Sequence, residues 1–229
     1  MLKSRFIGAI AALSFTALPA FAGTVSLIDD FSTSQAPIST DQSTYPTGVS
    51  STASGAGILG GTRELTVISK QSGGGFSTSA AVSGSMSVFS NSPIGYGEVN
   101  LGYGTVSPLA GFDLTAGGAN GFVVDVLSSD LGVDFTILAT DSNANTSVIS
   151  STIGGGIYGQ KLKFKYNGFA GTADLTDIDS LVFRFVNANG NSDFVLGNMA
   201  TANVPLPAGG LLLLSGLGAL GLRRARRRT

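Results

Sequence analysis

Between Gly23 and Asn203 no run of ten residues carries the period of an amphipathic helix. The apolar residues alternate instead, in short segments broken by Gly, Asn, Asp and Ser. A chain patterned this way can bury its apolar side chains only as half-buried strands. Val25–Ile28, Arg63–Ser69, Ser85–Phe89, Gly97–Leu101, Gly121–Leu127, Val133–Ala139 and Thr146–Thr152 read as strands. In Lys161–Tyr166 the lysines point out, and Leu162, Phe164 and Tyr166 point in. Leu181–Val186 and Phe194–Leu196 close the series. Many short strands at this spacing predict an all-β fold, a single β-sandwich or jelly roll. Ser32–Ser54 and Ser72–Ser85 are rich in small polar residues and read as surface loops or a flexible arm.

Both ends of the chain differ from this body. Lys3 and Arg5 precede an apolar stretch, Phe6–Leu18, and Ala20-Phe21-Ala22 supplies small residues where a signal peptidase reads. Residues 1–22 are therefore expected to be a secretory signal peptide, cleaved after Ala22. At the other end, 19 residues from Val204 to Leu222 carry no charge, and Arg223, Arg224, Arg226, Arg227 and Arg228 follow. The apolar run is at the short end of what spans a bilayer, and the arginines are expected to stay cytoplasmic. This divides the chain into 1–22, a body of 23–203, and a tail of 204–229.

Removing the ends changes the charge. The body holds six basic residues, Arg63, Lys70, Lys161, Lys163, Lys165 and Arg184, against all 14 acidic ones, a net charge of −8. Such a body repels nucleic acid and anionic membranes. There is no Cys, which excludes disulfides and thiolate metal sites, and no His, which removes the usual proton-transfer group and zinc ligand. Only two Glu lie in the body, Glu64 and Glu98, and no Gly-x-Ser-x-Gly occurs. An enzyme is not expected.

Several motifs reduce to turns. Gly55-Ala56-Gly57-Ile58-Leu59-Gly60 matches a dinucleotide fingerprint in letters but lacks the strand before it and the helix after it. Asp141-Ser142-Asn143-Ala144-Asn145 begins like a calcium loop, but Thr146 and Thr152 replace the required Gly and Glu. Asn187–Asn191 reads as another Asx-rich turn. In the Asp174, Asp177 and Asp179 segment, Leu175 and Ile178 face inward. Asp30 and Asp193, near the first and last strands, are the candidate ligands of a structural Ca²⁺, since those strands often adjoin in jelly rolls.

The tail, Val204-Pro205-Leu206-Pro207-Ala208 followed by an apolar run and arginines, resembles the PEP-CTERM class of bacterial sorting signals in its Val-Pro-Leu-Pro-Ala variant. The resemblance implies an exosortase, a membrane-embedded protease-transpeptidase, as processing partner, and a route through the inner membrane to the cell surface or exterior. Gly111-Phe112-Asp113-Leu114, Phe122–Leu127 and Ser192-Asp193-Phe194-Val195-Leu196-Gly197 resemble jelly-roll modules of carbohydrate-binding type. Of the tyrosines at 45, 96, 103, 158 and 166, Tyr96 and Tyr103 lie in a Gly-rich stretch and are the candidate sugar-stacking rings. The expected function is that of an exported, non-enzymatic surface or matrix protein, with a polysaccharide-binding module as the alternative.

Overall fold

The computed structural model describes residues 24–71, 77–93, 95–187 and 190–204. Two seven-stranded antiparallel sheets pack face to face. The strands are β1 (Thr24–Asp29), β2 (Gln35–Thr40), β3 (Val49–Ser54), β4 (Thr62–Ser69), β5 (Thr78–Ser83), β6 (Met86–Asn91) and β7 (Gly97–Tyr103), followed by β8 (Gly121–Ser129), β9 (Val133–Asp141), β10 (Thr146–Ile153), β11 (Ile157–Lys165), β12 (Ala170–Gly171), β13 (Ile178–Asn187) and β14 (Asp193–Ala202). The first sheet runs β11-β8-β14-β6-β5-β2, and the second β12-β10-β9-β13-β7-β4-β3. β14 shares one side between two partners. Its Asp193–Leu196 half pairs with β6, and its Met199–Ala202 half pairs with β1. The first and last strands are thus neighbours.

Alternation holds the sandwich together. On β4, Arg63, Leu65, Val67 and Ser69 are buried while the residues between them are half-buried. Phenylalanines from the two sheets meet in the middle. Phe135 of β9 lies 4.8 Å from Phe164 of β11, Phe89 of β6 lies 5.2 Å from Phe185 of β13, and Phe122 of β8 lies 5.7 Å from Phe183. Each such ring removed from water contributes on the order of 1.5–3 kcal/mol. Gly104 closes the turn after β7 at φ +77, and a Cβ there would sit 2.1 Å from the Asp179 carbonyl oxygen.

Three strands lie where loops were expected. Ser32–Ser54 contains β2 and β3, and Ser72–Ser85 contains β5. These segments carry little apolar surface of their own and are recruited by their neighbours. Ser50 Oγ and Thr66 Oγ1 pair across β3 and β4 at 2.7 Å, and Thr78 Oγ1 donates to Asn91 Oδ1 across β5 and β6. Cross-strand hydroxyl pairs of this kind stabilise a sheet without an alternating apolar pattern.

A strand, β3, does precede the Gly55–Gly60 motif, contrary to expectation, but a strand and not a helix follows it, so it is a turn. Residues 188 and 189 of the Asn187–Asn191 segment lie outside the described residues. Gly55–Gly61 connects β3 to β4, with Gly60 and Gly61 at positive φ. Asp141 caps the β9–β10 connection, accepting from the backbone N–H groups of Asn143 and Asn145. Ala20, Ala22, Pro205, Leu206, Pro207, Ala208 and Arg223, Arg224, Arg226, Arg227 and Arg228 lie outside the described residues. Among the described residues no helix is long and apolar enough to cross a membrane, and the apolar run 209–222 is not among them.

Candidate functional site

The two aspartates proposed as calcium ligands do not meet. β1 and β14 are adjacent, but their antiparallel register sets Asp29 opposite Met199, while Asp193 pairs with Ser90 at the far end of β14. Six residues of strand separate these points, roughly 20 Å at strand rise. Asp30 instead accepts from the Ser32 N–H, and the Asp193 N–H donates to Asp130 Oδ1. Among the described residues no group of three acidic side chains converges on a metal position.

The tyrosine pair is also corrected. Tyr103 is fully buried, because it shares the inward parity of Val99 and Leu101 on β7. Its hydroxyl donates to Asp29 Oδ2 at 2.8 Å, and its ring meets Phe183 edge-on. Tyr96 is 41% exposed, but it precedes the strand that Tyr103 ends, so the two stand at opposite ends of β7. Tyr166 packs on Phe122 and donates to the Leu114 carbonyl. Tyr158 is the most exposed described tyrosine, at 76%, on the edge strand β11. Tyr96 and Tyr103 therefore do not form a shared sugar-stacking face.

Tyr103 belongs to a buried polar node. Arg63 Nη1 donates to Asp29 Oδ2 at 2.8 Å, Nε to Gln35 Oε1 at 2.9 Å, and Nη2 to the Thr33 carbonyl at 2.8 Å. The Phe31 N–H donates to Asp29 Oδ1, and the guanidinium lies 5.5 Å from the Phe31 ring centroid. Burial pushes the Asp29 carboxyl above its ordinary 3.8, against the opposing pull of Arg63, Phe31 and Tyr103. Burial and the Asp29 charge push the Tyr103 phenol far above 10, so it remains a donor. Every group in this node is turned inward, and it fastens β1, β2, β4 and β7 together.

The outer face of the second sheet is an open surface rich in hydrogen-bonding side chains. Register builds it in rows. One row crosses six strands as Ser50, Thr66, Asn100, Arg184, Thr136 and Ser150. At about 4.8 Å per strand it is roughly 24 Å wide. Hydroxyl pairs hold its two ends, Ser50 with Thr66 at 2.7 Å and Thr136 with Ser150 at 2.9 Å. The next row holds Glu98, Val186, Asp134 and Thr152, with Thr152 donating to Asp134 Oδ1. On the other side lie Val182, Leu138 and Val148, an apolar strip whose Leu138 and Val148 are exposed.

Glu98 orders the centre. Its Oε2 accepts from Arg184 Nη2 at 2.6 Å and Lys70 Nζ at 2.7 Å, and its Oε1 accepts from Asn100 Nδ2 at 2.9 Å. Burial raises the Glu98 pKa, but the donors from Lys70, Asn100 and Arg184 outweigh it, leaving the carboxyl below its ordinary 4.5. The Glu98 side chain is 6% exposed and Arg184 46%, so the carboxylate is enclosed and the guanidinium is presented. Glu64 stands opposite Gly102, four residues along β7 from Glu98. That is about 13 Å along the strand, beyond the roughly 5–9.5 Å that separates glycosidase carboxylates. Arg184, Asn100 and Thr136 were not singled out in the sequence. Their outward parity was readable, but the row they form exists only once the register of β7, β13 and β9 is known.

No protein-family model matches the chain, and no curated protein matches it. Among solved structures it is similar to the family 11 carbohydrate-binding module of cellulosomal cellulase Lic26A-Cel5E of Clostridium thermocellum, at 16% identity and TM-score 0.42, over 82% of this chain and 99% of that one. The solution structure of CtCBM11 gives 16% identity and TM-score 0.43, over 83% of this chain and 100% of that one. The structure of PfGH50B gives 10% identity and TM-score 0.42, over 61% of this chain and 23% of that one. Likenesses this loose assign neither a family nor a ligand.

Proposed function

We propose that this chain is an exported, non-catalytic surface or matrix protein whose sandwich binds polysaccharide on the outer face of its second sheet. The observation that carries the reading is the row Thr66-Asn100-Arg184-Thr136-Ser150 beside the strip Val182-Leu138-Val148. A sugar ring is itself amphipathic, with hydroxyls at its rim and C–H groups on its faces. A line of donors and acceptors next to an apolar line meets both, and the ion pair with Glu98 fixes the Arg184 fork before a ligand arrives. The separation of Glu64 from Glu98 supports a binding role over hydrolysis.

Export rests on the two flanking signals. In this reading residues 1–22 are the signal peptide and 204–229 the sorting tail, flanking a sandwich whose described strands run from Thr24 to Ala202. Signal peptidase and an exosortase-type enzyme are the processing partners of this reading. The tail passes through an inner-membrane intermediate before release to the surface. Intact-mass measurement of native protein tests this part, with a mature start at Gly23 and loss of the arginine tail expected. A species that retains both Lys3 and Arg228 overturns it.

Binding is tested with the full chain as exported, by affinity electrophoresis against neutral polysaccharides such as hydroxyethylcellulose and mixed-linkage glucan. Retardation that Arg184→Ala reduces at least tenfold is expected. Equal retardation of parent and variant removes the assigned face.

A further inference from the structure

We infer that the outer side of β11 is a separate track for an acidic polysaccharide, independent of the face assigned above. The argument starts from how the cations are spent. Six basic residues are described, and four are held by carboxylates: Arg63 by Asp29, Lys70 and Arg184 by Glu98, and Lys161 by Asp125. Among the described residues only Lys163 and Lys165 have no carboxylate within ion-pair distance. They are two residues apart on one strand, so their Cα atoms are separated by roughly 6.7 Å and both point to the same side. Across the ladder they face Val123 and Gly121, which bring no compensating charge. In a body of net charge −8, the unspent positive charge is concentrated at this one place.

The surroundings make the place linear. β11 is the edge of the first sheet, so one flank of the strip is open. At its upstream end Tyr158 is 76% exposed, although it has the parity of the buried Phe164, and Gly159 follows it at φ +62. Beside Tyr158 lies a depression of about 100 Å³ lined by Asp125, Leu127, Gly159, Gln160 and Lys161. At the downstream end a cleft of about 340 Å³ is lined by Thr115, Asn120, Lys165, Tyr166 and Asn167. An exposed ring of inward parity at the open edge, two free ammonium groups on the outer side, and a cleft follow one another along β11 and the turn after it.

This sequence of features fits a glycan chain bearing carboxylates. The Tyr158 ring accepts the apolar face of a sugar. Lys163 and Lys165 meet carboxylates along the chain, and the cleft adds the Asn167 amide, while the Thr115 hydroxyl is already given to Asp113 and the Asn120 amide is held by Val204. Lys161, fixed by both oxygens of Asp125 at 2.6 and 2.8 Å, is a positioned donor rather than a free charge. An anionic lipid surface fits less well. Surface binding of that kind buries a cluster of exposed apolar side chains beside the cations, whereas on the outward parity of β8 Val123 is half-buried, Asp125 is a carboxylate that an anionic surface repels, and Leu127 alone is an exposed aliphatic.

The experiment uses the full chain and polygalacturonate as probe, with hydroxyethylcellulose and phosphatidylglycerol vesicles as alternatives. The parent is expected to bind polygalacturonate, and to lose affinity severalfold between 50 and about 300 mM salt as screening shortens. The double variant Lys163→Gln/Lys165→Gln should weaken binding at least tenfold while leaving the melting temperature unchanged, because both side chains lie at the surface. Arg184→Ala should bind polygalacturonate like the parent, which keeps this inference separate from the sheet-face reading. An unchanged affinity in the double variant overturns the proposal. So does vesicle binding as strong as polygalacturonate binding and abolished by the same two substitutions, which would identify the strip as a membrane contact.

Discussion

Replacing Arg63 by Met tests what holds the four strands β1, β2, β4 and β7 in place. Methionine fills much of the same volume but donates nothing. Three acceptors lose their donor together: the Asp29 carboxylate, the Gln35 amide oxygen and the Thr33 carbonyl. The neutral acceptors would each cost about 1–3 kcal/mol if left bare. Removing one partner of a buried ion pair costs about 3–5 kcal/mol, because the other charge stays in place. These costs overlap, since Asp29 can take up a proton and retain its bonds from Phe31 and Tyr103. We therefore expect a total loss of about 3–5 kcal/mol, a large share of the 5–15 kcal/mol that typically separates folded from unfolded domains.

Urea unfolding at neutral pH reads this loss directly, as a lower midpoint at an unchanged slope. The pH dependence gives the mechanism. Asp29 already has a raised folded-state pKa, and losing Arg63 raises it further. A carboxyl raised on folding binds more protons in the folded state than in the unfolded one, between its unfolded value of 3.8 and its folded value. Stability therefore falls as pH rises through that window. The deficit of Arg63→Met should be smallest near pH 4 and grow toward neutrality. Asp29→Asn combined with Arg63→Met should recover part of the loss, because no bare charge remains. A loss below about 1 kcal/mol at neutral pH, or a deficit that grows on acidification, would refute the reasoning.

Tyr103→Phe should cost about 1.5–3 kcal/mol in the same urea assay, by deleting one bond to a charged acceptor, while leaving polysaccharide binding untouched. Glu98 has the opposite pH sign to Asp29. Its lowered folded pKa contributes stability that is present above 4.5 and lost as pH falls through the folded value, so Glu98→Gln should flatten the acid arm of the melting curve. Gly104→Ala should lower stability by at least about 1–3 kcal/mol, because the position combines positive φ with a backbone oxygen 2.1 Å from the new Cβ. Asn120 Oδ1 accepts the Val204 N–H at 2.6 Å and its Nδ2 donates to the Val204 carbonyl, so Asn120→Ala should expose the chain after Ala202 to limited proteolysis without changing the urea midpoint by more than about 1 kcal/mol.

The fold was legible wherever side chains alternate. Lys161–Lys165 and Arg63–Ser69 could be placed residue by residue because period two leaves one arrangement of faces. The same rule, carried two residues past Leu101, would have put Tyr103 in the core with Val99. Arg63 likewise shares the parity of Leu65 and Val67, and its charge obscured that. Asp29 was not readable in this way. A register shift between Leu27 and Asp29 breaks the alternation, so Ile28 and Asp29 are both buried in succession. β2, β3 and β5 were hidden for another reason. Their Ser- and Thr-rich sequences lack an apolar period, and they are strands because neighbours offer a ladder.

The proposed binding surfaces were less legible than the core for a reason that follows from sheet geometry. A core residue is identified by its own strand, since inward parity and apolar character coincide there. An outer-face site is a row across strands, and its members lie far apart in sequence: Thr66, Asn100, Arg184, Thr136 and Ser150 come from five strands in an order that only pairing defines. The acidic body compounds this. With 14 carboxylates and six cations, most cations are consumed in ion pairs, and counting charge reports only the excess of acid. What distinguishes one lysine from another is whether a carboxylate lies across the ladder. Lys161 has Asp125 there, and Lys163 has Val123. Two residues identical in sequence context thus differ in available charge, and that difference turns the regular alternation of β11 into a surface with a free positive end.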